Sequence, residues 1–229
     1  WNGGYQDARI YNGVAKYTEN FVVPATEPDV LPDTPSGVSG KSNLTKIAEG
    51  AVSFDGNGDY LSLASTSDFD FGTGDFTCEL FFRCTDYSNT PYFFDFRTTG
   101  GVESGSYVIY VQSTGEIVFW YNGSNRVISN NKITLNNWVH LAVVRSSGTT
   151  KMYIDGVAQT SSYSDSNDYG NAGRPLFIGV RRNSGSALAS QSWNGQLSNV
   201  RVLKGTALYT SDFTPPTEPL TEVTNTKLL

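Results

Sequence analysis

His140 is the single histidine of this 229-residue chain, which closes off Ser-His and Cys-His nucleophiles with any choice of partner. Those mechanisms need an imidazole base beside the nucleophile and a third group to orient it. His140 follows Trp138 in the apolar run Val139-His140-Leu141-Ala142-Val143-Val144, where it reads as a sheet-packing residue. Asp55-Gly56-Asn57-Gly58-Asp59 brings two carboxylates close together, and calcium is the one cofactor the sequence leaves open. The loop lacks the acidic residue farther on that would supply a bidentate ligand. It therefore reads first as a turn, with Asp55 and Asp59 as the residues a calcium ion would use. Cys78 and Cys84 lie six residues apart in Phe76-Thr77-Cys78-Glu79-Leu80-Phe81-Phe82-Arg83-Cys84. In a strand that spacing puts them on one face about 20 Å apart, beyond the roughly 7 Å a disulfide spans. They read as buried free thiols.

Recognition chemistry has more material. Three loops read as exposed and richer than simple connectors. Residues 86–92 end at Tyr92 and lead on to Arg97. Residues 161–171 carry Tyr163, Asp168 and Tyr169, and residues 181–186 begin with Arg181. Trp120-Tyr121-Asn122-Gly123 adds Tyr121 and Asn122. Aromatic rings stack on the apolar face of a pyranose, and planar polar groups bridge neighbouring hydroxyls; the same residues also make wet protein contacts. Tyr92, Arg97, Tyr121, Asn122, Tyr163, Asp168, Tyr169 and Arg181 are accordingly the candidate ligand-binding residues.

The elements that must position them are strands. Aromatic residues make up 13% of the chain and charged residues 17%, with 23 glycines, a mixture of β-formers and turn-formers. Strands are predicted at 51–54, 60–63, 76–84, 107–112, 117–121, 138–145, 151–154, 176–180 and 197–203. Turn residues separate them, including Asn122-Gly123, Ser147-Gly148 and Asp155-Gly156. Nine strands without intervening helices predict an all-β, antiparallel jelly-roll β-sandwich. The net charge of −6, with no Lys/Arg cluster, argues against nucleic acid as a partner. No apolar run approaches the roughly 18–20 residues that would insert across a membrane.

The start of the chain repeats its end. Trp1-Asn2-Gly3 through Arg9, Gly13, Ala15, Tyr17 and Thr18 aligns without a gap on Trp193-Asn194-Gly195 through Arg201, Gly205, Ala207, Tyr209 and Thr210. The match continues to Phe21/Phe213 and Pro24/Pro216. The economical reading is a piece of a tandem array. Residues 1–24 are then the closing strand of a preceding repeat and 25–47 a Pro-rich linker. Residues 48–219 form one complete unit, and 220–229 a tail or linker to the next element. The strand 1–17 is expected to pair outside the complete unit, because 193–209 already fills its closing slot.

Ser53-Phe54-Asp55-Gly56-Asn57-Gly58-Asp59-Tyr60-Leu61, Leu135-Asn136-Asn137-Trp138-Val139-His140 and Tyr153-Ile154-Asp155-Gly156 resemble laminin-G-like, concanavalin A-like modules. The closing motifs Trp193-Asn194-Gly195 and Gly205-Thr206-Ala207-Leu208-Tyr209 carry the same resemblance. Phe213-Thr214-Pro215-Pro216-Thr217 is similar to copies in phage tail or virion proteins and large bacterial surface proteins. The resemblance implies a non-catalytic recognition module, foremost for a cell-surface glycan, placed outside the cell, on a virion or on a cell surface. Its alternative is an architectural module packing against neighbouring subunits, as a homo-oligomer through a parent fibre or virion. Enzymes of this fold are retaining β-glucanases, which the resemblance would mark by Glu-x-Asp-x-x-Glu on one strand. That string is absent, and Glu79, Glu103 and Glu116 each stand alone in the sequence.

Overall fold

The computed structural model describes residues 50–102, 105–170, 174–184 and 186–229, all within one compact unit, Lys46–Leu229. The expected closing-strand fragment 1–24, its pairing and the linker 25–47 lie outside the described residues. In chain order the strands are β1 (Val52–Asp55), β2 (Leu61–Thr66), β3 (Phe76–Cys84), β4 (Tyr92–Asp95) and β5 (Tyr107–Val111). Next come β6 (Glu116–Tyr121), β7 (Ser124–Lys132), β8 (Trp138–Ser146), β9 (Thr149–Ile154) and β10 (Val157–Ser164). The last are β11 (Arg174–Ile178), β12 (Val180–Asn183), β13 (Ser186–Ser192), β14 (Asn194–Lys204) and β15 (Thr226–Leu228). Every pairing is antiparallel.

One sheet runs β1-β14-β3-β8-β9-β10, with β15 also on β14. The second runs β2-β11-β4-β5-β6-β7, and β12-β13 forms a separate hairpin. Alternation along β3 sets the layers. Phe76, Cys78, Leu80, Phe82 and Cys84 enter the main core, where Val139, Leu141 and Val143 of β8 join them. Tyr107, Ile109 and Val111 of β5 and Ile117, Phe119 and Tyr121 of β6 arrive from the other sheet. Trp193, fully buried, packs on Phe93 and Phe82 with ring centroids 4.5 and 5.6 Å away. Each such side chain contributes about 1.5–3 kcal/mol of burial.

The opposite face of the seven-stranded sheet is covered too. Ala142, Val144 and Tyr153 form a second cluster beneath Ala207, Tyr209 and Phe213. Tyr209 and Phe213 stack with centroids 3.6 Å apart. Glycine is required at two close approaches, one under this cover and one within the β14–β3 pairing. Gly156 turns the β9–β10 hairpin at φ +78°, and a Cβ there would sit 1.8 Å from the Phe213 carbonyl oxygen. Gly195, at φ +133°, would place a Cβ 2.0 Å from the Arg83 carbonyl oxygen. Only glycine fits either position.

Several expectations need correction. The expected strand 176–180 is two strands, because the chain breaks at Gly179, φ +84°, against the ring of Phe54. The expected tail 220–229 belongs to the domain: Leu220 is buried and β15 pairs Val202↔Leu228 and Leu203↔Thr226 with β14. The polar strand β7 and the hairpin strand β13 carry no apolar alternation to mark them. Among the described residues no helix is long and apolar enough to cross a membrane.

Candidate functional site

The candidate ligand residues separate into two groups. Tyr92, Arg97 and Arg181 meet on the outer side of β4. Arg97 Nε donates to Asp95 Oδ1 at 2.9 Å, its Nη2 lies 2.5 Å from Asp95 Oδ2, and Nη1 donates to the Gly100 carbonyl at 2.6 Å. Its guanidinium stands 5.7 Å from the Tyr92 ring and 5.9 Å from that of Trp120. Tyr92 stacks on Tyr110 at 5.1 Å. Burial pushes the Tyr92 phenol up, against the opposing charges of Arg97 and Arg181. Arg181 Nη1 donates to Gln191 Oε1 at 2.5 Å.

The expected exposed loop around Tyr92 and Arg97 is thus a central strand and its clamp, both side chains buried. Three aromatic residues and an aspartate, Tyr92–Asp95, are too short a signal to separate a strand from an aromatic loop.

Tyr121, Tyr163, Asp168 and Tyr169 make the second group, and two of them, Tyr121 and Tyr169, are interior. Tyr169 is wholly buried among Phe76, Tyr107, Phe119 and Tyr121, and its hydroxyl donates to Asp165 Oδ2 at 2.8 Å. Burial first, then Asp165, raises its pKa. Tyr121 is buried edge-on to that ring at 4.9 Å. Tyr163 is half-buried on β10, with Arg126 4.9 Å over its ring and Asn167 Nδ2 donating to its hydroxyl at 2.8 Å. The expected loop 161–171 therefore begins as a strand and dives into the core. Asp168 is exposed and accepts from Gly170 N at 2.6 Å. Asn122 is an exposed turn residue at φ +46°.

Asp55 and Asp59 close their own turn. Asp59 Oδ2 accepts from Asp55 N at 3.1 Å and Asp55 Oδ1 from Asn57 N at 2.8 Å. Among the described residues no group of three or more His, Cys, Asp or Glu could hold a metal. Calcium takes six to eight oxygens, and this pair offers few that are free.

Glu79 does not stand alone. Arg201 Nε donates to its Oε1 at 2.8 Å, Tyr209 Oη to its Oε2 at 2.9 Å, and His140 Nε2 lies 3.1 Å from Oε2. An ionised carboxylate only accepts, so His140 donates through Nε2. Burial pushes the Glu79 pKa up, but the His140 hydrogen bond and the Arg201 charge outweigh it and hold it below the usual carboxylate value. Strands β3, β8 and β14 lie side by side, which brings these groups together. Tyr209 and Phe213 cover them. The cluster is a structural clasp closed to substrate, and His140 is the packing residue its setting suggests.

An open cleft lies elsewhere, between the end of β7, the start of β8 and the β9–β10 hairpin. It encloses about 360 Å³, within the roughly 300–1,000 Å³ of small-molecule sites. Buried Ile133 and Val139 and half-buried Ile154 form its apolar base. Asn130, Asn131, Asn137, Gln159, Asp155, Lys132 and Thr134 supply the polar rim. Trp138, 39% exposed, and Val157, 55% exposed, complete it. The rim is held in place: Gln159 Oε1 accepts from Asn130 N at 2.8 Å, Asn130 Oδ1 from Thr160 N at 3.0 Å, and Asp155 Oδ1 from His140 N at 2.8 Å. Sequence reasoning missed this site, although two of its walls are motifs it singled out, Leu135-Asn136-Asn137-Trp138 and Tyr153-Ile154-Asp155-Gly156.

The two antiparallel sheets and their order define a jelly-roll sandwich of the concanavalin A-like class. Residues 55–209 match the Laminin G 3 profile of the concanavalin A-like lectin/glucanases superfamily, and the chain belongs to that family. No curated protein matches the sequence. Among solved structures, it is similar to the CBM40 of a Ruminococcus gnavus IT-sialidase bound to α2,3-sialyllactose. That likeness has a TM-score of 0.53 and 8% identity over 70% of this chain and 92% of that one. A leech intramolecular trans-sialidase gives 0.54 and 14%, over 70% of this chain but 26% of the enzyme. A heptameric SAP-like pentraxin from Limulus polyphemus gives 0.48 and 21%, over 67% and 72%. At these identities the likeness is one of fold.

Proposed function

We propose that the domain is a non-catalytic carbohydrate-recognition module and that the cleft beside Trp138 is its binding site. The observation that carries this reading is the cleft's composition: an aliphatic base, an exposed tryptophan and four side-chain amides, of which Asn130 and Gln159 are pinned by hydrogen bonds to neighbouring strands. Sugars ask for apolar surface under their C–H faces and for fixed planar groups at their hydroxyls. That the same fold carries a sialyllactose-bound module in Ruminococcus gnavus supports the reading. In a tandem-repeat parent, on a phage tail, virion or cell surface, modest affinity per module would be multiplied by avidity. Calcium enters only through Asp55 and Asp59 and would need most of its oxygens from carbonyls or water.

The test is a glycan array with the full chain, in calcium and in chelator, repeated with Asn137→Ala and Trp138→Ala. Binding that both variants abolish while their melting temperatures hold supports the cleft. Binding unaffected by either variant would remove the site from this role, and loss in chelator alone would bring Asp55 and Asp59 forward. A second reading, an architectural module packing on copies of itself, has its support in exposed Val52, Tyr60 and Leu61 near the β1 and β2 edges. Sedimentation showing self-association that Tyr60→Ser with Leu61→Ser abolishes would favour it.

A further inference from the structure

We infer that the ligand of the cleft is a neutral sugar carrying an acetamido group, an inference that rests on the carbohydrate reading above. Charge comes first. Lys132 and Asp155 are the ionisable groups of the lining, so the cleft offers an anion no net attraction. The fixed polar atoms come next. The Asn130 carbonyl oxygen is occupied by both the amide and the hydroxyl of Thr160, at 3.0 and 2.7 Å, which leaves its NH₂ as the group free to act. Asp155 Oδ1 is occupied by His140 N, which leaves Oδ2 as an acceptor. One donor and one acceptor, fixed by the backbone of neighbouring strands, complement the C=O and N–H of a secondary amide.

The third part is the base. Ile133, Val139 and Ile154 present aliphatic surface that hydroxyl groups cannot cover without leaving polar atoms dry. A methyl group covers it at no such cost. An acetamido group supplies C=O, N–H and CH₃ together; a plain hexose supplies none of the three, and a 6-deoxy sugar only the methyl.

The test is NMR titration of the ¹⁵N-labelled full chain with N-acetylglucosamine, N-acetylgalactosamine, glucose and L-fucose. The expected result is saturable shifts at Asn130, Asn137, Trp138 and Val157 for the acetamido sugars, with glucose and fucose at least about tenfold weaker, the scale of one lost hydrogen bond. Asp155→Asn keeps an oxygen for His140 N but turns the outward atom into a donor. It should cut the acetamido-to-plain-sugar preference about tenfold without displacing the β9–β10 resonances. Shifts that map away from the cleft overturn this inference together with the cleft's role as the binding site. Glucose equal to N-acetylglucosamine, or a preference unchanged in Asp155→Asn, overturns this inference and leaves the carbohydrate reading standing. Absence of shifts with every sugar, together with a silent glycan array, overturns both.

Discussion

Replacing Glu79 by alanine strips a common acceptor from three donors beneath the C-terminal segment, and the geometry sets the cost. The side chains of Arg201 and Glu79 are 5% and 0% exposed, with Arg201 Nη2 2.7 Å from Glu79 Oε1, so water cannot take the lost partner's place. Breaking one side of such a pair destabilises by about 3–5 kcal/mol, because an uncompensated charge stays behind. Tyr209 Oη and His140 Nε2 lose the same acceptor, which places the expected loss near the upper end. For a domain of this size, about 5 kcal/mol lowers the melting temperature by about 10–20 °C. Urea unfolding followed by tryptophan fluorescence, with buried Trp193 as reporter, measures it. Glu79→Leu combined with Arg201→Met removes both charges and should recover most of the loss.

The pH dependence follows in sign. The folded pKa of Glu79 lies below its ordinary value, so its contribution is fully present above about pH 4.3 and fades as pH falls through the folded value. The stability gap between wild type and Glu79→Gln should therefore narrow between pH 7 and pH 3. A Glu79→Ala variant within about 1 kcal/mol of wild type, a double variant no more stable than the single, or a gap that widens in acid would refute the clasp.

Other consequences can be read with simple assays. Gly156→Ala should destabilise by more than about 2 kcal/mol, combining the left-handed backbone cost with loss of the Phe213 N–H bond to the Gly156 carbonyl at 2.9 Å; a melting curve unchanged from wild type would contradict this. Cys84 is buried and its thiol is pushed up to about 12, chiefly by burial, so it and buried Cys78 should resist a disulfide reagent at pH 8 until urea is added. Labelling of either thiol at the rate of a free cysteine in the native state would count against their placement in the core. Within 193–213, Leu208→Lys and Lys204→Asn introduce the residues found in the first copy of the repeat. Each should cost under about 0.5 kcal/mol by chemical denaturation, whereas Arg201→Ala, identical in both copies, should cost several times more.

The repeat was legible because what it preserves is what the fold cannot replace. Trp193 fills the core, Gly195 admits the Arg83 carbonyl, Arg201 and Tyr209 hold Glu79, and Phe213 stacks on Tyr209. Each of these residues recurs in 1–24, while neighbours such as Lys204 and Leu208 do not. A strand with period-two alternation was legible for the same reason: β3 shows in its sequence which side faces the main core, whereas β8 is apolar on both faces because both are covered.

Recognition residues obey a weaker rule. Tyrosine and arginine in a polar loop sequence suggest surface, yet Tyr169 and Arg97 are interior groups whose polar tips are satisfied by Asp165 and Asp95. In an aromatic-rich sandwich, ring density alone does not distinguish a stacking platform from a core. The cleft carries the opposite disguise. Asn130, Asn137 and Gln159 are ordinary edge and turn residues in the sequence, and Asp155 is there simply the first half of a hairpin turn. They become a site only because β7, β8 and the β9–β10 hairpin meet at one edge, and because neighbouring backbone fixes which amide and carboxylate atoms remain free. That selection of free atoms depends on tertiary pairing between residues about 30 positions apart, such as Thr160 with Asn130. No local pattern encodes it, so the fold was readable in the sequence while the site became visible only in the structure.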